Sequence, residues 1–273
     1  PGWKPGQRVV MAGGRPCGAC RNCVNGGGER ECSRFQIMGF AYDGAWAELI
    51  AVPWFSLTAI PDHLPFPQAA ILADAVSTPY AGLTDRGQLR AGEAVGLWGV
   101  GGLGVHAVQV ARMIGAAPIL AIDPLPSARA RALVAGADAA IDPASEDVRA
   151  RVLELTRGRG LDLAVDLFGA NRVLAEGAGC LARHGRLLMI GLSHDPIQLG
   201  PGVLFGVQSH ALLGHLGYTK QQLDRLVDLV AFGRLDVSRS ISDVMPLSEI
   251  KRGVERLARK EGDPIRLIVE PQR

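Results

Sequence analysis

The sequence predicts an α/β chain: a doubly wound parallel-sheet domain set within a smaller, incomplete β-rich one. Three observations predict it. From about residue 94 onward, short apolar runs alternate with helical stretches, the rhythm of a parallel sheet. The first strand-to-helix junction of that series is a glycine-rich turn. Residues 1–65 differ, with short apolar runs separated by turns rich in Gly, Pro and Asp. The expected domains are 1–75, 76–216 and a C-terminal stretch, 217–273, that returns to the first.

In the β-rich part, RVVMAG and AWAELIAVP read as strands. Between them lie Cys17, Cys20, Cys23 and Cys32, spaced C-x2-C-x2-C-x8-C. Thiolates at this density can surround a tetrahedral Zn²⁺. Gly18 and the run Gly26-Gly27-Gly28 permit the turns that aim four sulfurs at one point. A disulfide pair and chance clustering are the competing readings. Disulfides suit small secreted domains, whereas no signal peptide is visible and 48% of the residues are hydrophobic, enough for a core. A four-sulfur site has no open position, so the zinc would be structural.

The α/β series opens with the apolar run AVGLW and then Gly99-Val100-Gly101-Gly102-Leu103-Gly104, a G-x-G-x-x-G. Among 35 glycines the motif alone says little; a strand before it and a helix, VHAVQVARMIG, after it give it meaning. Gly99 allows the turn, Gly101 leaves room for a pyrophosphate, and Gly104 lets the helix pack on the sheet. The helix-start N–H groups near Gly102 and Leu103 meet the phosphate charge. The next strand, PILAID, closes on Asp123, about 20 residues on, where a carboxylate accepts from ribose hydroxyls. That charge repels a 2′-phosphate, which favours NAD over NADP. A plain glycine turn with a capping Asp is the alternative. Further along, Ser127 caps a helix to Leu133, AAID is a strand, and Ser145, Glu146 and Asp147 open a helix that stops near Gly158. LDLAVDLFG is a strand, a helix spans 171–181, and RLLMIGL is a strand. Helices at 219–232 and 248–260 and a strand, PIRLIVE, complete the chain.

Composition narrows the function classes. A net charge of +2 gives no general attraction to nucleic acid or anionic membrane. The longest apolar stretch is interrupted by His106, Gln109 and Arg112, so no membrane span is expected and the default location is cytoplasmic.

The cysteine cluster, the β-rich start and the later glycine loop together resemble the zinc-containing alcohol dehydrogenases of the medium-chain dehydrogenase/reductase superfamily. DGAWAEL, ADAVSTPYAGL, GVGGLG and PIRLIVEP each resemble a family segment, so the likeness runs through essentially the whole chain. It implies a Rossmann cofactor domain and a GroES-like catalytic domain. It also implies hydride transfer between NAD⁺ and a small alcohol, aldehyde or ketone, in a homo-oligomer (dimer or tetramer). Thr78 would sit by the nicotinamide, backbone around Ile190-Gly191-Leu192 would hold the carboxamide, and Arg266 would reach the cofactor phosphates. Asp74 takes the place of the last catalytic-zinc ligand, usually Cys and sometimes Asp; a helix-start carboxylate is the plainer reading. The family's last two cysteines stand one residue closer than here, an insertion that costs little. Its other catalytic ligands, a Cys and a His beside a Glu, precede the structural cysteines. The expectation is therefore an N-terminally truncated piece with impaired catalysis. His63, His106, His184, His194, His210 and His215 match no ligand position, and Cys180 reads as a core residue. A zinc-independent quinone or enoyl reductase, normally without the cysteine lobe, and a non-catalytic NAD- and zinc-binding fragment are the alternatives.

Overall fold

The structure, a computed structural model, describes residues 2–25 and 29–271. The Gly26-Gly27-Gly28 run lies outside the described residues. The chain divides into two compact units, Pro1–Ser77 with Tyr218–Arg273, and Thr78–Gly217.

The first unit is built from short pieces. Strand β1 (Val9–Met11) is followed by β2 (Gly14–Arg15), helix α1 (Arg21–Val24), β3 (Gln36–Ile37) and β4 (Leu57–Ala59). Antiparallel pairs join β1 to β4 and β2 to β3. The stretch 45–53, expected as a strand, forms none. Trp46 and Leu49 are 68% and 85% exposed, so its alternating pattern meets no partner strand to bury it. Helices α2 (Phe66–Ile71) and α3 (Ser77–Ala81) flank a break at Ala73 and Asp74.

The second unit carries one six-stranded parallel sheet in the order β10-β9-β8-β5-β6-β7. In chain order its elements are β5 (Val95–Trp98), α4 (Gly104–Ile114), β6 (Ile119–Ile122), α5 (Pro126–Ala135), β7 (Ala139–Ile141), α6 (Val148–Leu155), β8 (Leu161–Asp166), α7 (Asn171–Gly179), β9 (Leu181–Met189), α8 (Gly202–Val207) and β10 (Ala211–Gly214). All residues of β5 and β6 are buried, as in a sheet covered on both faces. Leu97, Ile119, Leu163 and Leu188 are fully buried core side chains. Helix α4 ends on Gly115 at φ 92°, whose N–H returns to Ala111 and Arg112 carbonyls.

Two helix starts differ from expectation. Pro126 opens α5 one residue before Ser127, because proline fits the first helical turn. Of the three residues expected to open α6, Asp147 is the cap, accepting from the Ala150 N–H, and the helix proper begins at Val148. The expected strand 186–192 begins earlier, at Leu181, and ends at Met189. Strand β10 and helix α8 had no expectation, since four residues, ALLG, are too few to show a period.

The tail returns to the first unit with α9 (Lys220–Ala231), β11 (Ile241–Pro246), α10 (Ile250–Arg259) and β12 (Arg266–Glu270). Thr219 and Gln222 form a capping box at the start of α9. Lys220 donates its main-chain N–H to Glu29 at 2.9 Å, and Thr58 donates to Asp224 at 2.6 Å. These bonds tie the tail to β4 and to the turn at Glu29 within that unit.

Candidate cofactor and metal sites

Strands β5 and β8 are neighbours at the centre of the sheet, where the order of connection reverses. Ligands in open α/β sheets bind at the carboxyl ends of strands at such a point. The glycine loop sits there. A Cβ placed on Gly104 would lie 2.2 Å from the Gly99 carbonyl oxygen, so only glycine lets α4 begin this close to the strand. A Cβ on Gly101 would meet nothing within 4 Å, so that side of the loop is open.

Asp123 follows β6 and is 7% exposed. Its Oδ2 accepts from the Val100 N–H at 2.9 Å and its Oδ1 from the Leu125 N–H at 2.8 Å. The carboxylate is thus clamped to the glycine loop itself. A carboxylate has about four lone-pair sites, which leaves acceptors for ribose hydroxyls.

Ile190 and Gly191 follow β9, and their N–H groups both donate to the Asp166 carbonyl at 2.9 Å. Leu192 is 74% exposed. Asp166 is buried, and burial raises its carboxyl above the ordinary value. Its Oδ1 accepts from Phe168 and Gly169, and its buried Oδ2 has no partner. Thr78 is buried in the same unit, and its carbonyl lies 3.0 Å from His215 Nε2. A carbonyl only accepts, so Nε2 carries the proton. A Cβ on Gly82 would lie 2.8 Å from Ile190 Cδ1 and 3.2 Å from His215 Cδ2. Thr78, Gly82, Ile190 and His215 therefore pack together. Sequence reasoning missed His215; reading ALLG as a strand would have placed it at a strand's carboxyl end.

In the other unit, the ligand atoms of Cys17, Cys20, Cys23 and Cys32 all lie within 4.8 Å of one another. A tetrahedral zinc with bonds of about 2.3 Å spaces its sulfurs by about 3.8 Å, so small shifts close the site. Cys17 donates its N–H to Cys32 Sγ at 3.2 Å, and Cys20 donates to Cys17 Sγ at 3.3 Å. Backbone N–H groups of Cys23 and Ser33 hold the Cys20 thiol down at about 5. The hydrogen bond with Cys20, then burial, pushes Cys23 up to about 12. Four free thiols with this donor set fit zinc. Cys180 is buried, and burial pushes its thiol up to about 12.

Asp74 stands at φ 100°, a left-handed conformation uncommon outside glycine, and its N–H donates to Ser77 Oγ at 2.8 Å. Strain of this kind costs about 1–3 kcal/mol and collects at functional sites. Arg266, at the start of β12, has Nε and Nη2 buried without a partner. Burial lowers its pKa, while Asp74 acts in the opposite direction. Among the described residues, the four cysteines are the only group of three or more metal-ligating side chains. Among the described residues no second group of three ligating side chains includes Asp74, so these residues do not by themselves compose a catalytic metal site.

The family model for an alcohol dehydrogenase GroES-like domain matches residues 1–62, and that for a zinc-binding dehydrogenase matches 102–231. An alcohol dehydrogenase from Thermus sp. ATN1 has a similar structure, with a TM-score of 0.91 at 31% identity over 99% of this chain and 79% of that one. The NDMA-dependent alcohol dehydrogenase of Amycolatopsis methanolica is 29% identical over 97% of this chain and 78% of its own length. An L-threonine 3-dehydrogenase of Caldanaerobacter subterraneus subsp. tengcongensis is 30% identical over 88% of this chain and 68% of its own length.

Proposed function

The chain belongs to the zinc-containing alcohol dehydrogenases of the medium-chain dehydrogenase/reductase superfamily, and from that premise we propose that it binds NAD⁺ for hydride transfer with a small alcohol, its described residues supplying the cofactor half of that site and catalysis by them alone being impaired. The observation that carries this reading is the clamp between the glycine loop and Asp123 at the centre of the sheet. The cofactor, when bound, supplies the hydride chemistry.

The chain supplies the binding. Gly99, Gly101, Gly102, Leu103 and Gly104 cradle the pyrophosphate, and Asp123 accepts from the ribose hydroxyls. Backbone at Ile190, Gly191 and Leu192 orients the carboxamide. Thr78, whose carbonyl is held by His215, would stand beside the nicotinamide. The orphan donors of Arg266 suit an anionic group. The cysteine lobe holds a zinc that shapes the first unit and does no chemistry. The partner is a small alcohol, aldehyde or ketone, and the working form is a cytoplasmic homo-oligomer, dimer or tetramer.

The test is incubation of the chain with NAD⁺ and a panel of primary, secondary and polyol alcohols, read as NADH absorbance, with parallel NADH titration. Turnover supports the proposal. Binding without turnover makes the chain a non-catalytic NAD- and zinc-binding module. No bound zinc by metal analysis points to the reductase branch, and no nucleotide binding sinks the reading altogether.

A further inference from the structure

Beside the glycine loop, the carboxyl ends of β6 and β7 bring the main-chain oxygen of Asp123 and the carboxylate of Asp142 to one arginine. Asp123 follows β6, Asp142 follows β7, and Arg129 lies in the first turns of α5. Arg129 Nη1 donates to the main-chain oxygen of Asp123 at 2.8 Å. Its Nη2 faces Asp142 Oδ2 at 3.2 Å, with the two side chains only 19% and 23% exposed. Asp142 is held in turn: its Oδ1 accepts from the Ala144 N–H at 2.9 Å, and its own N–H donates to Glu146 Oε1 at 2.8 Å. Glu146 Oε2 lies 3.3 Å from Arg151 Nε.

An arginine near the ribose-binding acidic residue is the group that accommodates a 2′-phosphate. Here the guanidinium is half-buried and already paired, so a phosphate would have to break that ion pair before using it. We propose that Asp142 sets nucleotide choice by sequestering Arg129. Asp123 repels a 2′-phosphate, and Asp142 withholds the cation that would offset the repulsion. Asp142 touches no nucleotide; it is a positioning residue that acts through Arg129. The inference rests on the dinucleotide reading of this unit.

The test is fluorescence titration of the full chain with NADH and with NADPH, for wild type, Asp142→Asn, Arg129→Ala and the double variant. Asparagine keeps an acceptor for the Ala144 N–H and turns an amide donor toward Arg129. Asp142→Asn is expected to raise NADPH affinity about tenfold, the worth of one hydrogen bond to a charged group. NADH affinity should change far less, the double variant should lose the gain, and the gain should shrink as salt rises. A merely structural role would lower both affinities together. An unchanged NADPH-to-NADH ratio, a gain that survives in the double variant, or a wild type that prefers NADPH overturns the inference. A wild type that binds neither nucleotide sinks the dinucleotide reading instead, and the inference with it. Thermal melts confirm folding, and Asp142→Ser repeats the test should the Asn variant not fold.

Discussion

Cys23 and Asp166 are polar side chains whose surroundings give each a measurable consequence. Cys23→Ser removes one of four converging thiols, and a structural zinc contributes folding free energy outright. Metal analysis should find the zinc gone, and a loss of about 3 kcal/mol should lower Tm by roughly 6–12 °C. Retained stoichiometric zinc would refute the site. Burial raises the Asp166 carboxyl, so the native state holds a proton that the unfolded chain has already released. Stability from this group is therefore greatest at low pH and falls as pH rises through the native value. Asp166→Asn abolishes that slope. The Tm of wild type relative to the variant should climb as pH falls from about 7 to 4, and a constant difference would count against it. The cysteine cluster was legible because ligands close in sequence need only local turns to converge. His215 was not, because the packing of its imidazole against Thr78 depends on strand pairing across 137 residues.

At the scale of elements, glycine positions and caps decide where helices begin. Gly104→Ala would put a methyl carbon 2.2 Å from a backbone oxygen that cannot move aside. Destabilisation of about 1–3 kcal/mol is expected, with NADH binding weakened at least tenfold in the same titration. Thr219→Ala removes half of the capping box on α9, for a loss of about 1 kcal/mol by denaturant melt. The sheet strands read clearly from sequence because both faces are buried and the apolar runs are continuous. The segment 45–53 misled because β-branched and aromatic residues describe a surface that could pair, while pairing itself needs a neighbour. Asp74 matched a family position, but its left-handed backbone is set by the break between α2 and α3 and leaves no trace in composition.

For the molecule as a whole, ligand linkage offers a direct measure. A dinucleotide at one hundred times its Kd should stabilise the folded state by about 2.7 kcal/mol. A Tm that does not move with NADH would argue that the glycine loop holds no nucleotide. The division of the chain has a further consequence, for synthesis rather than stability. The first unit is made of residues 1–77 and 218–273, while the second is a single run between them. At about 5–20 residues per second, the ribosome spends roughly 7–28 seconds on that run. During that interval the second unit can complete its sheet, because every strand it needs is present. The first 77 residues must wait, since Thr58 has no Asp224 and Glu29 no Lys220 until the tail emerges. Within residues 1–77, the pairing of β1 with β4 and of β2 with β3 and the convergence of the four cysteines need nothing from the tail, so metal supply during translation would bear on how long this half stays open.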